Sequence, residues 1–167
     1  MPDSFRSFIN KFKPVKLPLT ISIYSITVKD LIQVDDKSSD TLYIKGNESI
    51  YEILNDTTDF YYLITCQPAD AYVPILNIYN KKGEKLSSES LVVRGCGGGP
   101  GIEYCSSTAI IKNDLTIYCA DTTKSFEYDS IMRPIPNSRQ VICLYKDGKI
   151  NPDGTINMSD EKRKKIE

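Results

Sequence analysis

From Phe60 onward the chain alternates between short apolar runs and polar punctuation. FYYLITC, YVPILNIYN, SLVVRG, TAIIK, DLTIYCA, SFEYD and RQVICLYK are rich in β-branched and aromatic residues, and each is about strand length. Between or beside them stand Asn80-Lys-Lys-Gly83, Asn113-Asp114, Asp147-Gly148 and Asp153-Gly154, residue types that supply the positive φ of tight hairpin turns. No helical period intervenes, so neighbouring runs are expected to pair antiparallel as a meander. Pro74 has no N–H to give a ladder, which predicts an edge or a bulge for its run.

Upstream the period changes. Phe5, Phe8, Ile9 and Phe12 recur at helical spacing behind Ser4, a candidate cap, and ahead of Pro14. This predicts a short amphipathic helix lying against the domain's own core. Ile21 and Ile23 alternate with Thr20, Ser22 and Tyr24 as a first strand. SIYEIL (49–54) and TVKDLIQV each allow a turn of helix, and DDKSSD reads as a loop. Ser159, followed by acidic and then basic residues, caps a polar C-terminal stretch that is expected to fray. NIYNKKGEKL (77–86) and CLYKDGKI (143–150) echo one another, and two ordinary hairpins explain the echo better than repeated blades.

The expectation is a mainly β fold: an antiparallel meander of about seven to nine strands with a short N-terminal helix, closing as a barrel or sandwich or resembling propeller blades. Residues 1–19 would form the helix and a Pro-containing linker, 20–158 the β-rich domain, and 159–167 a polar tail.

Composition narrows the chemistry. The chain has 167 residues, 21 Lys and Arg against 22 Asp and Glu, a net charge of −1, and neither His nor Trp. Near-neutral charge gives no electrostatic reason to expect nucleic acid or an anionic membrane as partner. Without His there is no Ser-His-Asp triad, Cys-His dyad or HExxH site. No apolar run is long enough to span a bilayer. Met1 to Leu19 is too interrupted by charge to read as a signal peptide, leaving a cytosolic protein or one whose signal was removed. Three sequons occur, at Asn47, Asn55 and Asn157.

The five cysteines lack a CxxC pair, so no zinc ribbon or other metal site is expected. Cys66, Cys119 and Cys143 sit in strand-like runs and read as core. Cys96 and Cys105 bracket the glycine-rich stretch RGCGGGPGIEYC. They form a disulfide candidate worth roughly 2.5–3 kcal/mol of loop entropy, to be weighed against two unpaired thiols. A bond there would argue for an oxidising compartment.

GCGGGPG lacks the Lys-Ser/Thr of a P-loop, and Pro100 replaces the last Gly of a dinucleotide fingerprint. A plain connection between strands accounts for it. The sharper alternative is a ligand-facing loop in which backbone N–H groups beside Arg94 receive a carboxylate or sulfate. Its candidate binding residues are Arg94, Gly97, Gly98, Gly99 and Tyr104. A carboxylate pair for glycan hydrolysis could be drawn from Glu103, Asp114, Asp121, Glu127 and Asp129, although a turn and solvent-facing strand positions are the simpler assignment for these. A nucleophilic Cys would have only Arg94, beside Cys96, to activate it. No catalytic residue and no cofactor is assigned.

FINKFKPVKLPLTI, YNKKGEKL, IIKNDLTIYCADT and the closing YKDGKINPDG resemble a group of uncharacterised small predicted exported lipoproteins of Bacteroides-like bacteria. The resemblance implies an upstream signal and lipidated Cys, a β-rich body and no particular activity. The expected function is a non-enzymatic binding or interaction module at the cell envelope, on the periplasmic or extracellular side, with a protein or glycan as partner. Two alternatives stand beside it: a small glycan hydrolase using a carboxylate pair, and an inhibitor or immunity-like protein presenting the 94–105 loop.

Overall fold

The computed structural model describes residues 1–44, 46–55, 58–96, 99 and 101–166. Two sheets face one another across an apolar core, and a helix covers part of the first sheet's far side. Sheet A runs in the order β1 (Lys13–Val15), β3 (Ser49–Leu54), β4 (Tyr61–Pro68), β5 (Tyr72–Tyr79), β6 (Lys85–Ser90). Sheet B runs β10 (Ile156–Met158), β9 (Gln140–Ile150), β8 (Thr116–Ser125), β7 (Ile102–Ile111), β2 (Leu19–Ser22), with β11 (Lys162–Lys165) also paired to β9. The fold is mainly β and sandwich-like, and neither sheet closes into a barrel. β1 with β3 is a parallel pair, and the other ladders are antiparallel.

Strand alternation builds the layers. Tyr62, Ile64 and Cys66 of β4 and Leu76 and Ile78 of β5 point inward to Ala109, Ile111, Ile117 and Cys119 of sheet B. Leu63, Tyr79 and Ile50 point the other way, onto Phe5, Phe8, Ile9 and Phe12. The first three of these belong to α1 (Asp3–Ile9) and Phe12 to the turn after it. Tyr43 joins this outer cluster by stacking on Phe8, with ring centroids 5.0 Å apart. Helix and sheet therefore bury one apolar stripe between them, as the spacing of the phenylalanines requires.

Several local expectations are corrected. SIYEIL is not helical but strand β3, with a bulge between Ile50 and Glu52. Ser4 lies inside α1 rather than capping it, and its hydroxyl is 2.7 Å from the Tyr43 hydroxyl. Pro74 is in β5, a central strand. Its carbonyl accepts from Leu91 N at 2.9 Å, so its nitrogen faces the side on which β6 has already ended and costs no ladder bond. Asp147-Gly148 is no turn, because residues 140–150 continue through it as one strand. The echo of 77–86 in 143–150 is thus a hairpin on one side and a single strand on the other. The tail forms β11 instead of a helix. The short strands β1, β10 and β11 bring the total among the described residues above the expected seven to nine.

Candidate functional site

The registers place the β4–β5 turn, the end of β6, the start of β7 and the end of β8 at one end of the sandwich. There the chain must pass from sheet A to sheet B, and residues 91–96 make the crossing as a strap. Leu91, its first residue, is fully buried. Asp121, on the inward side of β8 beside Cys119, is 3% exposed. Its Oδ2 accepts from Arg94 N at 2.8 Å and Gly95 N at 2.9 Å, and its Oδ1 accepts from Ser107 Oγ at 2.5 Å. A carboxylate this deep is tolerable because three donors replace its water.

Further along, Cys96 N donates to Tyr24 Oη at 2.8 Å, while that hydroxyl donates to Cys96 O at 3.1 Å. Cys96 and Cys105 are joined by a disulfide, Cα to Cα 5.8 Å. At the outer edge Arg94 Nε pairs with Glu161 Oε2 at 2.6 Å. The strap is therefore fastened to the segment before β11, to β8, to β7 and to the 3₁₀ turn Ile23–Ser25 after β2.

A cleft of about 390 Å³ opens between the strap, that 3₁₀ turn and the β4–β5 turn. Tyr24, Val73 and Val92 supply its apolar wall, Ala69 and Ala71 leave it open by their size, and Asp70 and Arg94 are its charged groups. A smaller hollow of about 290 Å³ continues past Tyr24 towards Pro68 and Tyr72. Together they have the size and mixed lining of a small-ligand site.

Of the residues expected to bind, Arg94 lines this cleft, while Gly99 and Tyr104 are exposed and do not line it. Gly97 and Gly98 lie outside the described residues. The backbone N–H groups of Arg94 and Gly95 already donate to Asp121 and that of Cys96 to the Tyr24 hydroxyl, so the carboxylate received here is the protein's own.

The acidic candidates do not gather. Glu103 is ion-paired with Arg139, whose hydrogen bonds hold its carboxyl below the usual range. Asp114 accepts from Thr116 Oγ1 at 2.7 Å and from its N–H, and Asp129 accepts from the Ile131 and Arg133 amides, which hold both carboxyls low. Glu127 is exposed, and Asp121 is buried rather than solvent-facing. A cleft of about 310 Å³ at the opposite end does contain Asp59 and Asp114 beside Phe60 and Tyr62. The described carboxyl that burial pushes upward is Glu52, 6% exposed on β3, with Oε2 unpartnered. It lines none of these clefts.

Cys66 and Cys119 are core thiols, each pushed up to about 12 by desolvation, and Cys143 is buried on the other face of sheet B, 3.9 Å from the Tyr118 hydroxyl. Neither Cys66 nor Cys119 has the depressed pKa of a nucleophile. Of the residues that pin the strap, Tyr24 is not among the sequence candidates, and Asp121 is among them only as a member of a solvent-facing carboxylate pair, not as an anchor. Alternation alone puts Asp121 on the face of Ile117 and Cys119, and that was the available signal. No protein-family model matches this chain, and neither does a curated protein or a solved structure.

Proposed function

We propose that the chain is a non-enzymatic binding module of the cell envelope that holds a peptide or glycan segment in the Tyr24–Arg94 cleft. The observation that carries this reading is the strap. One wall of the cleft is fixed by a disulfide, a buried carboxylate and a reciprocal pair of tyrosine hydrogen bonds, so the cavity exists without ligand and binding orders little new chain. Tyr24 offers a flat face, while Asp70 and Arg94 offer polar partners of either sign. The non-enzymatic part of the reading is supported by the cleft's lining, in which Asp70 is the one carboxylate among the described residues, while Asp121 behind it is committed to internal donors and glycoside hydrolysis uses a pair. The disulfide supports an oxidising compartment.

The test is a filled cleft. Ala71→Trp should occupy the cavity, and because the chain has no other Trp its fluorescence reports that environment directly. Against arrays of short peptides and oligosaccharides, ligands retained by the wild type should be lost by a folded A71W protein. Ligands held equally by both would show that binding lies elsewhere.

A further inference from the structure

We propose that the protein docks on an anionic lipid surface through the end of sheet B, with Ile131 and Met132 entering the headgroup layer and the basic strand β11 lying along it. The first observation is the excursion between β8 and β9. Asp129 N donates to Arg133 O at 2.9 Å and Ile135 N to Glu127 O at 2.8 Å, giving a small two-stranded finger. Asp129 fixes its turn by accepting from the Ile131 and Arg133 amides, each at 2.9 Å, and by pairing with Arg133 Nε at 3.1 Å. At the finger's base Arg139 is ion-paired with Glu103 of β7.

Residues 130–137 are exposed without a break. At the apex of this braced finger stand Ile131, 63% exposed, and Met132, 62% exposed. Met132 has φ 59°, a left-handed conformation where Gly or Asn would be at ease. Ile135, Ile102 and Tyr104 add exposed apolar surface alongside. A rigid convex tip carrying two large aliphatic side chains gains nothing for the fold by showing them to water.

The second observation is charge. β11 is Lys162, Arg163, Lys164 and Lys165, all exposed, and it runs antiparallel to β9 until Lys165 pairs with Ile142 and Ile166 N donates to Val141 O. That is one residue from Gln140, where the finger rejoins the sheet. Lys162 pairs with Asp147 and Lys164 lies 5.3 Å from the Tyr145 ring centroid. Arg163 and Lys165 have no carboxylate at ion-pair distance among the described residues. The net charge of −1 over the whole chain thus conceals a cationic flank beside the apolar tip.

A pocket in a partner protein would accept the tip alone. A lipid surface uses both features: aliphatic side chains partition among the acyl chains while lysines and arginines stay with the phosphates. This reading is independent of the cleft.

The test is sedimentation with vesicles of phosphatidylcholine alone or mixed equally with phosphatidylglycerol, at low and high salt. The wild type should favour the anionic vesicles by roughly tenfold or more at low salt, and high salt should abolish the preference. The quadruple change K162Q/R163Q/K164Q/K165Q should remove that preference. I131S/M132S, which touches only exposed side chains, should weaken binding about tenfold or more without moving the melting temperature. Equal binding to both vesicles, no binding, or anionic binding indifferent to I131S/M132S would overturn the proposal. So would failure on vesicles combined with capture of a protein that I131S/M132S loses.

Discussion

Removing the carboxylate of Asp121 should loosen the end of the sandwich more than any other single change at the strap. In Asp121→Ala three donors lose their acceptor: Arg94 N, Gly95 N and the hydroxyl of Ser107, which is 1% exposed. Hydrogen bonds to a charged acceptor contribute about 1.5–3 kcal/mol each. The two amides lie at the half-buried rim, where water recovers part of their loss, whereas Ser107 is left unpartnered in the core. The expected cost is about 3–5 kcal/mol, a large share of a typical domain's stability. Asp121→Asn keeps the geometry. Its amide oxygen still accepts from Arg94 and Gly95, and its NH₂ donates to Ser107 in reverse, so only charge assistance is lost, at about 1 kcal/mol. Urea unfolding followed by circular dichroism, with the disulfide intact, measures both. A D121A loss below about 1 kcal/mol, or a D121N loss as large as that of D121A, would refute the assignment of Asp121 as the strap's anchor.

Two further outcomes follow from buried groups. Burial raises the Glu52 carboxyl from 4.5, with Lys13 opposing and Asp30 assisting, so the folded state holds its proton more tightly than the unfolded chain does. Its contribution is therefore fully present below the unfolded value and is lost as pH rises through the folded one. Glu52→Gln should flatten that decline and raise the melting temperature near neutral pH, and an identical pH profile in both proteins would contradict it. Thiol titration of the unfolded, unreduced protein should count Cys66, Cys119 and Cys143 and no others, whereas a count of all five would remove the support for an oxidising compartment.

The body of the fold was legible because its cause is local. Alternation in FYYLITC and TAIIK, and the turns at Gly83 and Gly154 with φ of 86° and 81°, are properties of a few adjacent residues. Where the reading failed, the competing cause was distant. Gly148 looks like a hairpin glycine, but a Cβ there would meet Met158 Sδ at 2.0 Å and Asn157 O at 2.7 Å, so the absent side chain makes room for β10. SIYEIL mimics a helix because the bulge at Tyr51 shifts the alternation and both faces of β3 are covered, Ile50 by the helix and Leu54 by sheet B. β11 has no apolar pattern at all, because ladder bonds to β9 hold it. The strap was illegible for the same reason: the carboxylate answering Arg94 and Gly95 lies 27 and 26 residues downstream of them.

The division of the N-terminal strands between the sheets also sets an order of assembly. β3 to β6, and β7 to β9, are meanders whose neighbours follow one another, so each sheet can zip up soon after it is made. β1 and β2 are made before either sheet and belong to different ones: Val15 pairs with Leu54, while Leu19 waits for Ile111. Of these first two strands, β1 can pair as soon as β3 follows it, whereas β2 must wait until β7 has been made. A nascent chain arrested before β7 would carry Ile21 and Ile23 uncovered, and that stretch is where a holding chaperone would find its grip.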